Sequence, residues 1–158
     1  MRHALVGFVV LLGACAAGPT DTVRGTLPAA VRTATTSAVL SGHTVAIDAY
    51  LWRDFQPIAP TDGKPLIATV RARTADGTSL GAGVSADSMW VIAGTEAWAA
   101  RAVQEQARSA TGPYLEVVAR DGPKWAPGTH VDVVVRLRDG SGQAVYVRVA
   151  DQMIARTE

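Results

Sequence analysis

The sequence predicts an all-β protein, folded as an antiparallel sandwich. Two observations lead to this prediction. Five segments alternate apolar and polar residues with a period of two and are rich in β-branched side chains, which is the pattern of strands with one buried face. Turn sequences separate several of these segments, as at Asp76-Gly77 and Asp121-Gly122, where Asp and Gly both favour tight turns. Several short strands at such spacing are typical of a sandwich or barrel.

Each predicted strand has an inward apolar row opposite an outward, more polar row. In chain order, the inward rows are Val45, Ile47, Ala49 and Leu51; Leu66, Ala68, Val70 and Ala72; Leu115, Val117 and Ala119; Val131, Val133, Val135 and Leu137; and Val145, Val147 and Val149. Between the last two strands lies "DGSG", a four-residue loop from Asp139 to Gly142 that predicts a β-hairpin.

The segment 88–113 leaves two alternatives open. It forms either a hairpin that turns at Gly94-Thr95, or a helix from Glu96 to about Ala110 with Thr95 as its N-cap. Ala, Glu, Gln and Arg favour a helix on intrinsic propensity, but the apolar face of such a helix is thin. The preferred prediction is a strand through Trp98, followed by a loop or a short helix.

The chain has four tryptophans and a single cysteine. An aromatic side chain buries about 150–250 Å², so in a domain without a disulfide we expect tryptophans to anchor the core. Trp90 and Trp125 are expected in the core, whereas Trp98 fits either the core or the surface.

The N-terminus has the layout of a secretory signal peptide: a basic tip and the apolar run "ALVGFVVLLGA". That run is too short to span a bilayer, which needs roughly 20 apolar residues. Leu12-Gly13-Ala14-Cys15 resembles the lipobox of bacterial lipoproteins, whose pattern is Leu, two small residues and Cys. The resemblance implies that residues 1–14 are a lipoprotein signal peptide and that Cys15 is lipidated. Ala16, rather than Asp, follows, which implies the outer membrane where the organism has one.

Composition divides the rest of the chain in two. Residues 15–32 are rich in Ala, Gly, Pro and Thr and predict a flexible tether, and residues 33–158 form the predicted sandwich domain. Loss of Arg2 with the signal peptide leaves 14 basic and 14 acidic side chains. This balance argues against nucleic acid as a partner, so membrane contact is expected through the lipid on Cys15.

A second resemblance concerns the segment "WAPGTHVDVVVRLRDGSG", residues 125–142. It is similar to the end of bacterial immunoglobulin-like and fibronectin-type modules, in which an apolar residue, Pro-Gly, an alternating strand and Asp-Gly follow one another. The resemblance implies an immunoglobulin-like sandwich with Trp125 at the bottom of the core and Pro127-Gly128 at the corner between the sheets. His130 takes the place of the tyrosine usual at that corner.

No motif in the chain predicts catalysis, a metal or a cofactor. His43 and His130 each begin a strand without the further ligands that a zinc site needs. The Asp-Gly turns do not match a calcium-binding loop. The chain lacks a Gly-rich phosphate loop and a Gly-x-Ser-x-Gly elbow. We therefore expect no cofactor and no enzymatic activity.

The outward rows carry aromatic rings and guanidinium groups, which are enriched at binding hot spots. If the strands share a sheet, one outer face holds Tyr50, Trp52, Arg71, Arg73, Arg136, Tyr146 and Arg148. The alternative is an ordinary solvated face on which Asp48, Asp54 and Asp132 pair with the arginines. The sequence thus predicts a non-catalytic module that binds an envelope protein or glycan. A structural accessory subunit of an envelope assembly, and an envelope enzyme or inhibitor, are the alternatives.

Overall fold

The computed structural model describes residues 22–23, 26–105 and 113–158, and they are almost entirely β. A one-turn helix, α1 (Ala29–Arg32), lies near the N-terminus. The strands are β1 (Thr22–Val23), β2 (Ser37–Leu40), β3 (His43–Asp54), β4 (Leu66–Thr74), β5 (Ser85–Ala93), β6 (Glu96–Arg101), β7 (Tyr114–Gly122), β8 (His130–Arg138) and β9 (Ala144–Thr157).

The strands form two sheets that β9 joins. The larger sheet has the order β1-β6-β5-β8-β9, and the smaller has the order β3-β4-β7, with β2 paired to β3. The strands described pair antiparallel, except that β9 and β3 run parallel from Leu51 and Ile154 onward. An isolated parallel bridge also joins Thr35 to Val147 of β9. The chain crosses between the sheets after β1, β4, β6 and β7. The structure thus confirms the predicted fold class, an immunoglobulin-like antiparallel β-sandwich.

A bulge lets β9 belong to both sheets. Val149 pairs with Val133 of β8, but the next pair on that side joins Gln152 to Val131, so two residues of β9 lie opposite one of β8. Within the bulge, Asp151 has a φ of 59°. Extra residues of this kind bend and twist a strand. The end of β9 is thereby directed to the edge of β3.

The core lies between the sheets, and the predicted inward rows fill it. Of these rows, Leu51, Leu66, Leu115 and Leu137 are among the largest fully buried side chains. Period-two alternation predicted these positions because one face of each strand is buried.

The tryptophans differ in part from prediction. Trp98 is fully buried in the core. Trp125 packs against the core and donates a hydrogen bond from Nε1 to Glu96 (2.9 Å). The placement of Trp90 in the core was wrong: it lies on the outer face of the larger sheet, because its neighbours Met89 and Val91 occupy the inward positions of β5.

The preferred alternative for segment 88–113 is confirmed as far as the structure describes it. Strands β5 and β6 form a hairpin at Gly94-Thr95, and Gly94 has the positive φ (58°) that such a turn requires. No helix therefore starts at Glu96. The rest of the proposed helical range, residues 106–110, lies outside the described residues.

The folded domain begins earlier than residue 33. The predicted tether 15–32 includes β1, whose backbone pairs with β6, and α1, whose Val31 is buried. The predicted signal peptide and lipobox lie outside the described residues. Among the residues that are described, no helix has the length and apolar character needed to cross a membrane.

Arg53 fixes the end of the sandwich beside Trp52. Arg53 is 3% exposed, and its guanidinium donates to the carbonyl oxygens of Lys64 (2.9 Å), Lys124 (3.1 Å), Trp125 (3.2 Å) and Asp62. Burial lowers the pKa of Arg53, and the Asp62 carboxylate raises it in part. The side chain thereby ties the β3–β4 loop to the β7–β8 loop.

Candidate functional site

The outer face of the smaller sheet carries a surface groove of about 410 Å³. Strand β3 forms one wall, and β4 and β7 form the floor and the other wall. We call it the small-sheet groove. Its lining residues are Asp48, Ala49, Tyr50, Trp52, Thr69, Arg71 and Glu116.

Strand register brings these side chains together. Asp48, Tyr50 and Trp52 alternate with inward residues of β3 and so share the outer face. Antiparallel pairing sets Tyr50 opposite Thr69, and Asp48 opposite Arg71. On the far side of β4, Arg71 lies opposite Glu116 of β7. The groove therefore draws on three strands that are distant in sequence.

Two aromatic rings form one wall of the groove. Tyr50 and Trp52 stack with their ring centroids 5.3 Å apart and an interplanar angle of 24°. Tyr50 is 54% exposed, whereas Trp52 is half-buried. Nearby on the same face, Tyr114 is 41% exposed and lies under the Arg71 guanidinium, 5.0 Å from ring centroid to Cζ. The stacking holds an apolar surface in place that is still open to solvent.

The charged groups of this face are joined in ion pairs. Arg71 Nε donates to Glu116 Oε2 (2.6 Å), and Arg73 Nη2 donates to Asp48 Oδ1 (3.0 Å). The hydrogen bond from Arg71 to Glu116 raises the pKa of Arg71. Two guanidiniums thus balance two carboxylates, and the face carries no net charge from these four groups.

The structure divides the seven predicted face residues into two groups. Strands β3 and β4 lie in the smaller sheet, whereas β8 and β9 pair in the larger one. The small-sheet face holds Tyr50, Trp52, Arg71 and Arg73, and the outer face of the larger sheet holds Arg136, Tyr146 and Arg148. The seven residues therefore do not share one face: four lie together on the smaller sheet, and three lie together on the larger sheet.

The three predicted residues on the larger sheet each contact neighbouring side chains. Arg136 donates two hydrogen bonds to the carboxylate of Asp87 (2.6 and 2.8 Å). The Tyr146 ring lies against Trp90, with centroids 5.8 Å apart. Arg148 donates to Asp132. These contacts fit the alternative interpretation of a solvated, ion-paired face better than they fit a binding surface.

The prediction that Asp48, Asp54 and Asp132 pair with arginines holds for two of the three. Asp48 pairs with Arg73 and Asp132 with Arg148, but Asp54 accepts from Lys64 (2.8 Å). On the smaller sheet this pairing coexists with the open aromatic rings, so the two interpretations of the face are not exclusive.

Sequence reasoning missed Glu116, Thr69 and Tyr114 as members of the site. Alternation in "YLEVVAR" places Glu116 on the outward side of its strand, but it does not say which strand lies beside it. The pairing of β4 with β7 joins residues 45 positions apart. No local sequence pattern shows that β4 and β7 are neighbours in the sheet.

The two histidines of the described chain lie in polar contacts at the surface. His43 Nδ1 lies 3.9 Å from Asp76 Oδ2, and His130 Nδ1 lies 2.7 Å from Asp151 Oδ1. Hydrogen bonds from Thr78 lower the pKa of Asp76 to about 2. Within the ranges that the structure describes, no group of three or more His, Cys, Asp or Glu side chains is arranged to hold a metal ion.

Comparison with known proteins adds no function. No protein-family profile matches the chain, and no curated protein matches it. Among solved structures, the chain is similar to one described as "X-ray structure of Northeast Structural Genomics Consortium target SoR45", at 10% sequence identity and a TM-score of 0.39. The match covers 70% of this chain and 86% of that chain. A likeness at this level bears on neither mechanism nor ligand.

Proposed function

We propose that this protein is a lipid-anchored, non-catalytic binding module of the bacterial cell envelope, and that the small-sheet groove is its contact surface. The observation that carries the proposal is the stacked pair of Tyr50 and Trp52, which leaves Tyr50 54% exposed on the groove wall. Exposed aromatic side chains next to arginine are typical of residues that dominate binding energy.

The N-terminal sequence supports the envelope location. Cys15 ends the lipobox-like sequence and precedes Thr22, the first residue of β1, by seven positions. Seven residues reach at most about 25 Å when fully extended. A lipid on Cys15 therefore keeps the domain near the bilayer, where its partner is a component of the envelope.

The ion pairs of the groove support a preformed binding surface. Glu116 and Asp48 each accept a hydrogen bond from an arginine at 2.6–3.0 Å. Such pairs fix the positions of both carboxylates and both guanidiniums. A surface whose polar groups are already ordered loses less conformational entropy when it binds a partner.

The anchor is tested by fractionating cells that express the full-length protein or Cys15→Ser. We expect the wild type in the membrane fraction after washing with buffer and salt, with metabolically incorporated palmitate on the chain, and Cys15→Ser without either property. Wild-type protein that carries no acyl group, or that washes off membranes in buffer, contradicts the envelope proposal.

The contact surface is tested by capture from detergent-solubilised envelope. The wild type is compared with the double variant Tyr50→Ala/Trp52→Ala and with Tyr146→Ala, an aromatic on the other sheet that serves as the matched control. We expect the double variant to lose captured material and Tyr146→Ala to retain it. Equal capture by all three proteins contradicts the proposed surface.

A further inference from the structure

We propose that the small-sheet groove recognises a neutral saccharide. This inference rests on the proposed binding function and specifies its ligand. It is carried by three properties of the groove: an aromatic wall, a polar wall of opposite character, and charges that cancel.

The aromatic wall suits a sugar ring. A pyranose presents apolar C–H groups on its faces and hydroxyls around its edge. The rings of Tyr50 and Trp52 offer an apolar surface whose orientation is fixed by their mutual stacking. Small-molecule sites typically combine such aromatic surfaces with a few placed polar groups, and prior ordering reduces the entropy lost on binding.

The polar wall suits hydroxyl groups. Across the floor from the rings, Arg71 and Glu116 form a donor–acceptor pair with an N–O distance of 2.6 Å, and Thr69 adds a hydroxyl at the floor. A hydroxyl both donates and accepts hydrogen bonds. One sugar edge can therefore donate to a carboxylate and accept from a guanidinium or hydroxyl.

Charge balance selects a neutral ligand. Arg71 is neutralised by Glu116 and Arg73 by Asp48, at 2.6 and 3.0 Å. An anionic ligand would have to compete with these carboxylates for the guanidiniums, and a cationic ligand would have to displace the guanidiniums. A neutral polyhydroxy ring engages the pairs without breaking them.

The dimensions of the groove also favour a small ring over a protein surface. Its volume of about 410 Å³ lies within the range of about 300–1,000 Å³ that is usual for small-ligand sites. A stable protein–protein interface buries about 800 Å² on each partner. The groove is a local depression that matches single units of a glycan.

The direct test is a titration of the full-length protein with neutral tetrasaccharides. The protein is held in a polyoxyethylene ether detergent, which has no sugar headgroup, and the probes are maltotetraose, cellotetraose and β-1,4-mannotetraose, whose rings all carry vicinal diols. Tryptophan fluorescence and saturation-transfer NMR report binding. We expect at least one probe to bind and to show saturation transfer to its ring C–H protons.

Variants assign that binding to the groove. We expect Tyr50→Ala and Trp52→Ala each to weaken it about tenfold or more, which corresponds to about 1.4 kcal/mol. Tyr50→Phe, which keeps the ring, retains binding, as does Tyr146→Ala on the opposite face. Near-ultraviolet circular dichroism confirms that each variant is folded. Equal affinity of Tyr50→Ala and Tyr146→Ala overturns the assignment.

A second arm separates this inference from the proposed function. Solubilised envelope is treated with sodium periodate, which cleaves vicinal diols, or with a protease, before capture by the full-length protein. Loss of capture after periodate alone supports a saccharide. Loss after protease alone, with capture still dependent on Tyr50 and Trp52, overturns the saccharide and leaves the binding function standing. Capture that does not depend on Tyr50 and Trp52 contradicts both the saccharide inference and the proposed contact surface.

Discussion

Replacement of the buried Arg53 is predicted to destabilise the sandwich more than replacement of any exposed arginine. Arg53 donates to four main-chain carbonyl oxygens, and its side chain is 3% exposed. In Arg53→Met these four acceptors lose their donor while the apolar part of the side chain is kept. The β3–β4 and β7–β8 loops then lose the guanidinium that hydrogen-bonds to both of them.

The size of the effect follows from two opposing contributions. A buried acceptor that loses its donor costs about 1–3 kcal/mol, so four such acceptors set a limit of about 4–12 kcal/mol. In the opposite direction, Arg53→Met removes the cost of burying a guanidinium, which is several kcal/mol. We therefore expect Arg53→Met to lose about 3–5 kcal/mol. Arg53→Lys keeps a charge but lacks the planar fork of donors, and we expect a loss of about 1–3 kcal/mol.

The assay is urea unfolding followed by tryptophan fluorescence. With a urea m-value of about 1–3 kcal/mol/M, Arg53→Met lowers the midpoint by more than about 1 M. Arg156→Met is the matched control, because Arg156 lies over the Phe55 ring (4.0 Å), as Arg53 does (5.1 Å), but is exposed and pairs with Glu158. This variant costs about 1 kcal/mol or less. A midpoint for Arg53→Met no lower than that of the control refutes the reasoning.

Two further predictions concern the core and the response to acid. Gly122→Ala places a Cβ 2.7 Å from the Trp98 ring, so urea unfolding should show a loss of about 1–3 kcal/mol in the free energy of unfolding. Gly140→Ala is the control, because nothing lies within 4 Å of its added Cβ, and it should leave the urea midpoint unchanged. Because the pKa of Asp76 is lowered from 3.8 to about 2, its contribution to stability is complete above pH 4 and declines as the pH falls to 2. Asp76→Asn should flatten the fall in stability over that interval, and an unaltered slope would contradict the Thr78 contact as its cause.

The inward rows were predictable because alternation is a local property. Val45 and Ile47, or Val133 and Val135, are two residues apart, and a strand with one buried face must place them on the same side. Trp90 was assigned to the wrong face, and the prediction left Trp98 open between the core and the surface. The sequence around them, "SMWVIAGTEAWAA", is apolar at odd and even positions alike, so its phase is ambiguous.

The composition of the candidate site was only partly predictable. The sequence shows that Tyr50, Arg71 and Arg136 point outward, but strand order decides which of them meet, and strand order depends on long-range pairing. Tyr50 and Arg71 meet because β3 and β4 are neighbours in a hairpin. Arg136 lies on the other sheet because β8 pairs with β5 and β9.

The most direct test of the binding surface is site-specific photo-crosslinking in intact cells. A diazirine amino acid replaces Tyr114, which is 41% exposed beside Arg71 on the smaller sheet, or Tyr146 on the larger sheet. The proposed function predicts adducts from position 114 that disappear in the Tyr50→Ala/Trp52→Ala background, and none from position 146. Adducts from position 146 with none from position 114 would show that the protein meets its partner through the other face.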